Sequence, residues 1–474
     1  VIGGLVLLGL VVVYKAWVTD DAYITFRTID NFVEGRGLTW NTDERVQVYT
    51  HPLWMMIMAV GRAVSGEFYY TSLAINLTLT LVTAGLLAFR VASSWQTACL
   101  GLAVLSVSRA FTDYSTSGLE NPLSHLLLLV LMLQGVRTGH RRAACLRFSL
   151  VASLCVLTRP DLLLLVLPSW AALLWRYRGR SAWLAALAGV APLVLWEAFS
   201  LLYYGALLPN TAYAKLNTGI PAGELAVQGG YYLLNSLMFD PPTLLVIATA
   251  TIWALLDDLR KPSPWAIGVL LYLAYVVKVG GDFMSGRFLT PALLVATVLL
   301  VSRPMPARRA LVATFAALGL LAVPWTTPFA NRDYGEEWHA AIDVHGIADE
   351  RVFYEAEGDL WSSWRLRKKW PSPVKFEEAR WLHRHWPHDY FVDDLLYVGT
   401  LSPLEDWPPS SRLDADGKPY QMVIVRGAVG FLGFHLGPRV HVLDYYAVTD
   451  PLLARLPITR PDPILAGLLP EQAR

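Results

Sequence analysis

Charge is what this chain has least of. Acidic and basic residues fill only 16% of its 474 positions, where soluble domains carry about a quarter. Mean hydropathy is +0.41. This shortage excludes an ordinary soluble domain and points to a polytopic α-helical membrane protein. Net charge is scarce too. The 39 basic and 38 acidic residues leave +1, so there is no bulk positive field for nucleic acid. Cysteine is nearly absent: Cys99, Cys145 and Cys155 fit no zinc or redox spacing, and no structural disulfide is expected. No Gly-rich loop of Walker or Rossmann type occurs, which speaks against soluble nucleotide use. Internal repeats and low-complexity segments are lacking as well.

What is abundant is apolar sequence. Stretches near 1–18, 70–89, 93–108, 122–136, 147–158, 161–175, 181–203, 242–256, 264–279, 288–302 and 309–325 are candidate spans. Several fall short of the roughly 20 residues a straight crossing needs. The first has no A-x-A-like cleavage site and reads as a retained span, with a short leader expected ahead of it. Arg159-Pro160-Asp161 interrupts 147–175, because a proline breaks a helix there; two short spans, or one kinked helix, are the alternatives. The segment 50–66 reads as an interfacial or re-entrant helix. With residue 1 in the cytoplasm, the basic clusters at Arg90, Arg137–Arg147, Arg176–Arg180, Arg260–Lys261 and Arg303–Arg309 all fall on one side, as the positive-inside rule requires. About eleven transmembrane helices result.

The expected organisation is a transmembrane domain over 1–325, with outer-face amphipathic helices in 19–66. An extracytoplasmic α/β domain over 326–474 follows. Within it, 351–358, 390–397, 421–427 and 439–446 read as strands, and 336–346 and 375–386 as helices.

Five outer connections carry the polar residues, and such groups at span ends are costly unless they line a cavity. The first begins TDDAYITFR. Asp20 and Asp21 open an amphipathic pattern (Ala22, Ile24, Ile29, Phe32, Val33) closed by Gly35 or Gly37. An N-cap explains one acid and leaves the other over. A carboxylate there suits general-base activation of an acceptor hydroxyl. Tyr23, Arg27 and His51 lie in the same connection. In TSGLEN, Glu120 and Asn121 serve either a helix start or an acceptor. Arg159 and Asp161 form either an internal ion pair or, through Arg159, a phosphate contact. Lys215 lies in PNTAYAK. Asp282 and Arg287 lie in GGDFMSGR, where a salt bridge is the plain alternative. Together Arg27, Arg159, Lys215 and Arg287 would supply an interfacial pocket with cations for a lipid-anchored phosphate. His383-Arg384-His385 points its two imidazoles to different helix faces, so no metal site is expected.

These motifs resemble the GT-C superfamily of polyprenyl-phosphate-sugar glycosyltransferases. More closely, DDAYITFRTIDNFVEGRGLTWNTDERVQVYT with TSGLEN is similar to the bacterial arabinofuranosyltransferases related to the mycobacterial terminal β-(1→2) enzyme. The RPD turn, PNTAYAK, GGDFMSGR and DYYAVTDPLLARLP share that likeness, which covers most of the chain. The resemblance implies an arabinofuranosyl-phosphoryl-polyprenol donor, an inverting displacement and a metal-independent reaction without a cofactor. It also implies an enzyme of the bacterial cytoplasmic membrane acting on its outer face. The acidic motif maps onto Asp20 and Asp21, with Asp21 favoured as base and Asp20 positioning or capping. Glu120, Asn121, Asp161, Asp282, His51 and Tyr23 would bind substrate, and Arg27, Arg159, Lys215 and Arg287 the donor phosphate. Where Gly-Leu is expected before the late TDPL, the chain reads Tyr446-Ala447-Val448, which leaves the acceptor open between an envelope glycan and a protein such as pilin. A mannose or aminoarabinose donor is a further alternative, and a transporter of lipid-linked sugars a more distant one.

Overall fold

A computed structural model describes residues 1–135, 141–216, 219–257, 262–322, 341–354, 358–361, 390–393, 400–403 and 422–456. The helices in the first part are α1 (Ile2–Tyr14), α2 (Asp20–Val33), α3 (Pro52–Ser65), α4 (Tyr69–Leu86), α5 (Trp95–Val107), α6 (Arg109–Asp113), α7 (Asn121–Gly135), α8 (Arg141–Thr158) and α9 (Leu162–Arg176). There follow α10 (Arg180–Gly189), α11 (Ala191–Tyr204), α12 (Asn210–Leu216), α13 (Ala222–Phe239), α14 (Pro241–Leu256), α15 (Pro264–Lys278), α16 (Thr290–Val301), α17 (Ala307–Gly319) and α18 (Glu350–Phe353). Strands β1 (Tyr390–Asp393), β2 (Thr400–Pro403) and β3 (Met422–Arg426) precede α19 (Val429–Leu436) and β4 (Val440–Asp444).

The chain forms two compact units, each discontinuous in sequence. One comprises 1–17, 73–196 and 221–353; the other comprises 18–72, 197–220 and 354–474. This partition cuts across the boundary expected at residue 325.

The first unit is helical, around a core that includes Leu8, Leu105, Leu128, Leu165, Tyr272 and Leu294. Among the described residues, the helix running on from Tyr69 to Val91 is long and apolar enough to cross a membrane alone. Two bent pairs reach that length jointly: α10 with α11 (48°) and α13 with α14 (109°). Most other stretches expected as spans fold as apolar helices of 10–17 residues, shorter than a lone crossing requires. The break between α8 and α9 falls at Arg159–Asp161, so the two-segment alternative describes it. Helices here approach to backbone contact. A Cβ added to Gly268 on α15 would stand 2.2 Å from the carbonyl oxygen of Leu165 on α9. Gly268→Ala is therefore expected to destabilise this unit by about 1–3 kcal/mol, the usual cost of overpacking, read as a lower melting temperature in detergent.

In the second unit, α2 starts at Asp20 and ends at Val33, with Gly35 in the left-handed region (φ 79°), as its pattern predicts. Helix α3 matches the segment expected as interfacial. It buries Trp54, Met55 and Met58, while Val60 and Val64 are exposed, so apolar surface covers more than one face. The sheet order is β2-β1-β3-β4; β1 and β2 are antiparallel, and β1, β3 and β4 are parallel. β3, α19 and β4 form a βαβ unit.

Strands at 390–393, 422–426 and 440–444 lie where they are expected, and β2 is an addition. The strand expected over 351–358 is instead helical at α18, where Phe353 N–H bonds the Asp349 carbonyl at 2.9 Å. The helix expected over 336–346 is replaced from 341 onward by a turn. There Asp343 Oδ1 accepts the N–H groups of His345 (2.8 Å) and Ile347 (3.0 Å), a side-chain competitor to helix. Residues 336–340 and the helix expected over 375–386, with His383 and His385, lie outside the described residues.

Candidate active site

The expected site residues fall into two groups, one in each unit. In the second unit, α2 carries both acids in its first turn, after Thr19 in extended backbone. The positive end of the helix dipole favours carboxylates there. The two acids nevertheless meet different surroundings. Asp20 is 2% exposed, and its oxygens accept the backbone N–H groups of Gly430 (2.8 Å) and Phe431 (2.7 Å). Those amides open α19 and have no partner within it. Asp20 thus caps a helix 410 residues away rather than its own. Asp21 is half-buried.

Arg27, expected at the donor phosphate, is 3% exposed and engaged otherwise. Its Nε donates to Trp40 O (3.0 Å), Nη1 to Gly433 O (2.5 Å) and Nη2 to Val440 O (2.8 Å), and the guanidinium lies over the Trp40 ring at 4.6 Å. Backbone carbonyls, joined by Asn41 Oδ1 at 3.4 Å from Nη2, meet its three nitrogens. Tyr23, expected to touch substrate, is fully buried against Phe26, Phe431 and Phe434. His51 Nε2 lies 2.9 Å from Thr25 Oγ1 and ties α3 to α2. Both are packing residues in this geometry. Lys215 is half-buried on α12. That helix is held by Asn210, whose Nδ2 lies 3.0 Å from each carbonyl oxygen of Ala447, Val448 and Asp450. PNTAYAK and DYYAVTDPLLAR therefore meet in space.

In the first unit, the structure brings Glu120, Arg159, Asp161, Asp282 and Arg287 together. Glu120 is 1% exposed; its Oε1 faces Arg287 Nη2 at 3.3 Å and Arg159 Nη1 at 3.8 Å. Arg159 grips Asp161 through Nε (3.1 Å) and Nη2 (2.6 Å), so the internal ion pair of the RPD turn is present. Tyr272 donates its hydroxyl to Asp161 Oδ2 at 3.1 Å. Arg287 Nη1 lies 3.8 Å from Asp282 Oδ2. The turn bearing both is shaped by Gly280, Gly281 and Gly286, all at positive φ. It is pinned by the Tyr232 hydroxyl, which donates to Met284 O and accepts from Phe288 N, each at 3.1 Å. Asn121 Nδ2 bonds Thr290 Oγ1 at 2.9 Å and braces the start of α7.

Two guanidiniums thus face three carboxylates. The ion-pair alternatives for the RPD and GGDFMSGR turns describe what is seen: a buried network in which each arginine is oriented by acids. Such pairing holds the cations rigid without exposing them fully. The sequence reading missed Tyr232 and Tyr272, because hydroxyls embedded in apolar helices leave no local pattern. It also missed the buried pair of Lys15 and Asp113; Lys15 is 1% exposed. Beside the Ser285–Gly286 turn lies a cavity of about 80 Å³ lined by Arg109, Asp113, Asn235, Asp240, Asp349 and Arg351. Its volume suits several waters or ligand hydroxyls.

No family model matches the sequence. Across 93% of its length the chain is 28% identical to the terminal beta-(1->2)-arabinofuranosyltransferase of Mycobacterium tuberculosis, of which 79% is covered. Across 58% of its length it is 27% identical to the protein of the same name from Corynebacterium glutamicum, of which 46% is covered. Its fold matches the crystal structure of ArnT from Cupriavidus metallidurans bound to undecaprenyl phosphate, with a TM-score of 0.53 over 94% of this chain and 88% of that one. Sequence identity there is 13%, so that likeness is one of fold.

Proposed function

We propose that the chain, given its likeness to the terminal beta-(1->2)-arabinofuranosyltransferases and a fold like that of ArnT, is a membrane glycosyltransferase of GT-C type that moves an arabinofuranosyl residue from a polyprenyl-phosphate donor to a hydroxyl of a cell-envelope glycan, with inversion. The observation that carries the site assignment is the division of labour in the acidic pair. One carboxylate is consumed by two backbone amides, while its half-buried neighbour stands at the same helix start. One base is what a single-displacement mechanism needs.

In this scheme Asp21 takes the proton of the acceptor hydroxyl. That oxygen bonds to the anomeric carbon as the bond from carbon to the phosphate oxygen breaks. The lipid phosphate leaves with the electron pair, its charge met by a cation such as Arg159, Lys215 or Arg287. Pre-oriented guanidiniums lower the reorganisation needed as charge develops. No metal or organic cofactor enters the scheme, and the lipid-linked sugar is a substrate. The low charge content and one-sided basic clusters favour a setting in the bacterial cytoplasmic membrane, with the acids on its outer face.

The test is transfer from synthetic polyprenyl-phosphate-arabinose to an oligo-arabinofuranoside acceptor by the purified protein in nanodiscs. The expected product has inverted anomeric configuration by NMR, and its rate is unchanged by EDTA. A product of retained configuration, or a strict requirement for a divalent ion, would overturn the mechanism.

A further inference from the structure

We infer that Asp20 is a positioning residue, and that with Arg27 it forms a two-ended clamp on α19 that fixes the direction of Asp21. The inference rests on the reading of Asp21 as the base. Asp20 and Arg27 are seven residues apart on α2 and therefore share one helix face. Asp20 holds the amides that begin α19, and Arg27 holds Gly433 O in its last turn together with Val440 O just beyond. A carboxylate thus meets the positive end of this short helix and a guanidinium the negative end, the favoured sense at both.

Between them Tyr23 fills the seam, its ring 4.5 Å from that of Phe431 and 5.2 Å from that of Phe434. The approach is as close as backbones allow. A Cβ at Gly430 would stand 1.8 Å from the Asp20 carbonyl oxygen, and one at Gly433 2.7 Å from the Trp40 ring. Asp21 projects about 100° around α2 from this glued face. Its direction is therefore set by the rotation of α2, and that rotation is locked by α19. An oxygen that already accepts a backbone N–H and is sealed from solvent is poorly placed to take a proton from a sugar. The pair divides into one acid that reacts and one that aims it.

The experiment compares Asp20→Asn, Gly430→Ala and Asp21→Asn in nanodiscs, with Gly230→Ala as control, since nothing lies within 4 Å of a Cβ added there. Asparagine at position 20 points an amide N–H₂ at a backbone N–H and frees one amide. Asp20→Asn and Gly430→Ala are each expected to lower kcat about 10- to 100-fold, the scale of a small misplacement. KM for the donor should stay within about twofold and the acid limb of the pH–rate profile should remain. Asp21→Asn should remove that limb. Amide exchange at Gly430 and Phe431 should quicken in Asp20→Asn. Loss of the acid limb in Asp20→Asn, or full activity in Gly430→Ala, would overturn the positioning role. Unchanged amide exchange in Asp20→Asn would overturn the clamp by itself. A wild-type protein that transfers no arabinose would sink only the reading on which this rests.

Discussion

Asp21→Asn is expected to lower kcat by about a thousandfold or more, while the protein stays folded and keeps its donor affinity. Removing a general base typically costs 10²- to 10⁴-fold. The upper part of that range applies because the partner acid cannot substitute: both Asp20 oxygens are occupied by the α19 amides. Stability should fall by no more than about 0.3–1 kcal/mol, the gain a first-turn carboxylate takes from the helix dipole. The contrast with Asp20 gives the result its weight. If the pair were two interchangeable bases, each single variant would retain substantial rate. Single-turnover transfer with saturating donor decides the matter, and an Asp21→Asn protein with near-normal turnover would refute the assignment.

The second large effect is expected at Arg159. Arg159→Met should cost about 3–5 kcal/mol of stability, because it leaves Asp161 and Glu120 buried with one cation fewer. Arg159→Lys should recover only part, since a single ammonium cannot reproduce the two-point grip on Asp161. Structural and chemical contributions separate in the double variant Arg159→Met with Asp161→Asn. Removing both members of the pair should restore much of the lost stability, as coupled residues do. If Arg159 meets the leaving phosphate as proposed, transfer should stay low, because that guanidinium is still missing. Thermal unfolding in detergent and donor turnover, measured on the same preparations, distinguish the two. Full activity in the stable double variant would remove Arg159 from the phosphate site.

How much of this was legible before the structure depends on distance along the chain. The bounds of α2 could be read because its apolar period and Gly35 are local facts. The break at Arg159–Asp161 could be read because proline acts on its own neighbours. The network around Glu120 was partly legible, since its members are ionisable and sit at span ends, where charge needs a reason. Tyr272 was not, because its hydroxyl is a single atom inside an apolar helix. The surroundings of Arg27 were hidden for a related reason: sequence shows a charge but not what its donors meet, and here they meet main-chain oxygens and the Asn41 amide. The glycine-flanked run that becomes α19 is eight residues long, too short for periodicity to declare it. Its pairing with Asp20 spans 410 residues and leaves no mark in either segment alone.

That same span sets an order of events during synthesis. The acid-bearing helix leaves the ribosome first, and its docking partner is translated on the order of half a minute or more later at ordinary elongation rates. Until then Asp20 and Arg27 await their partners on α19 and β4. A chain halted between residues 33 and 430 would carry the acidic pair but lack its mould, so the nascent protein stays inert until α19 has been made.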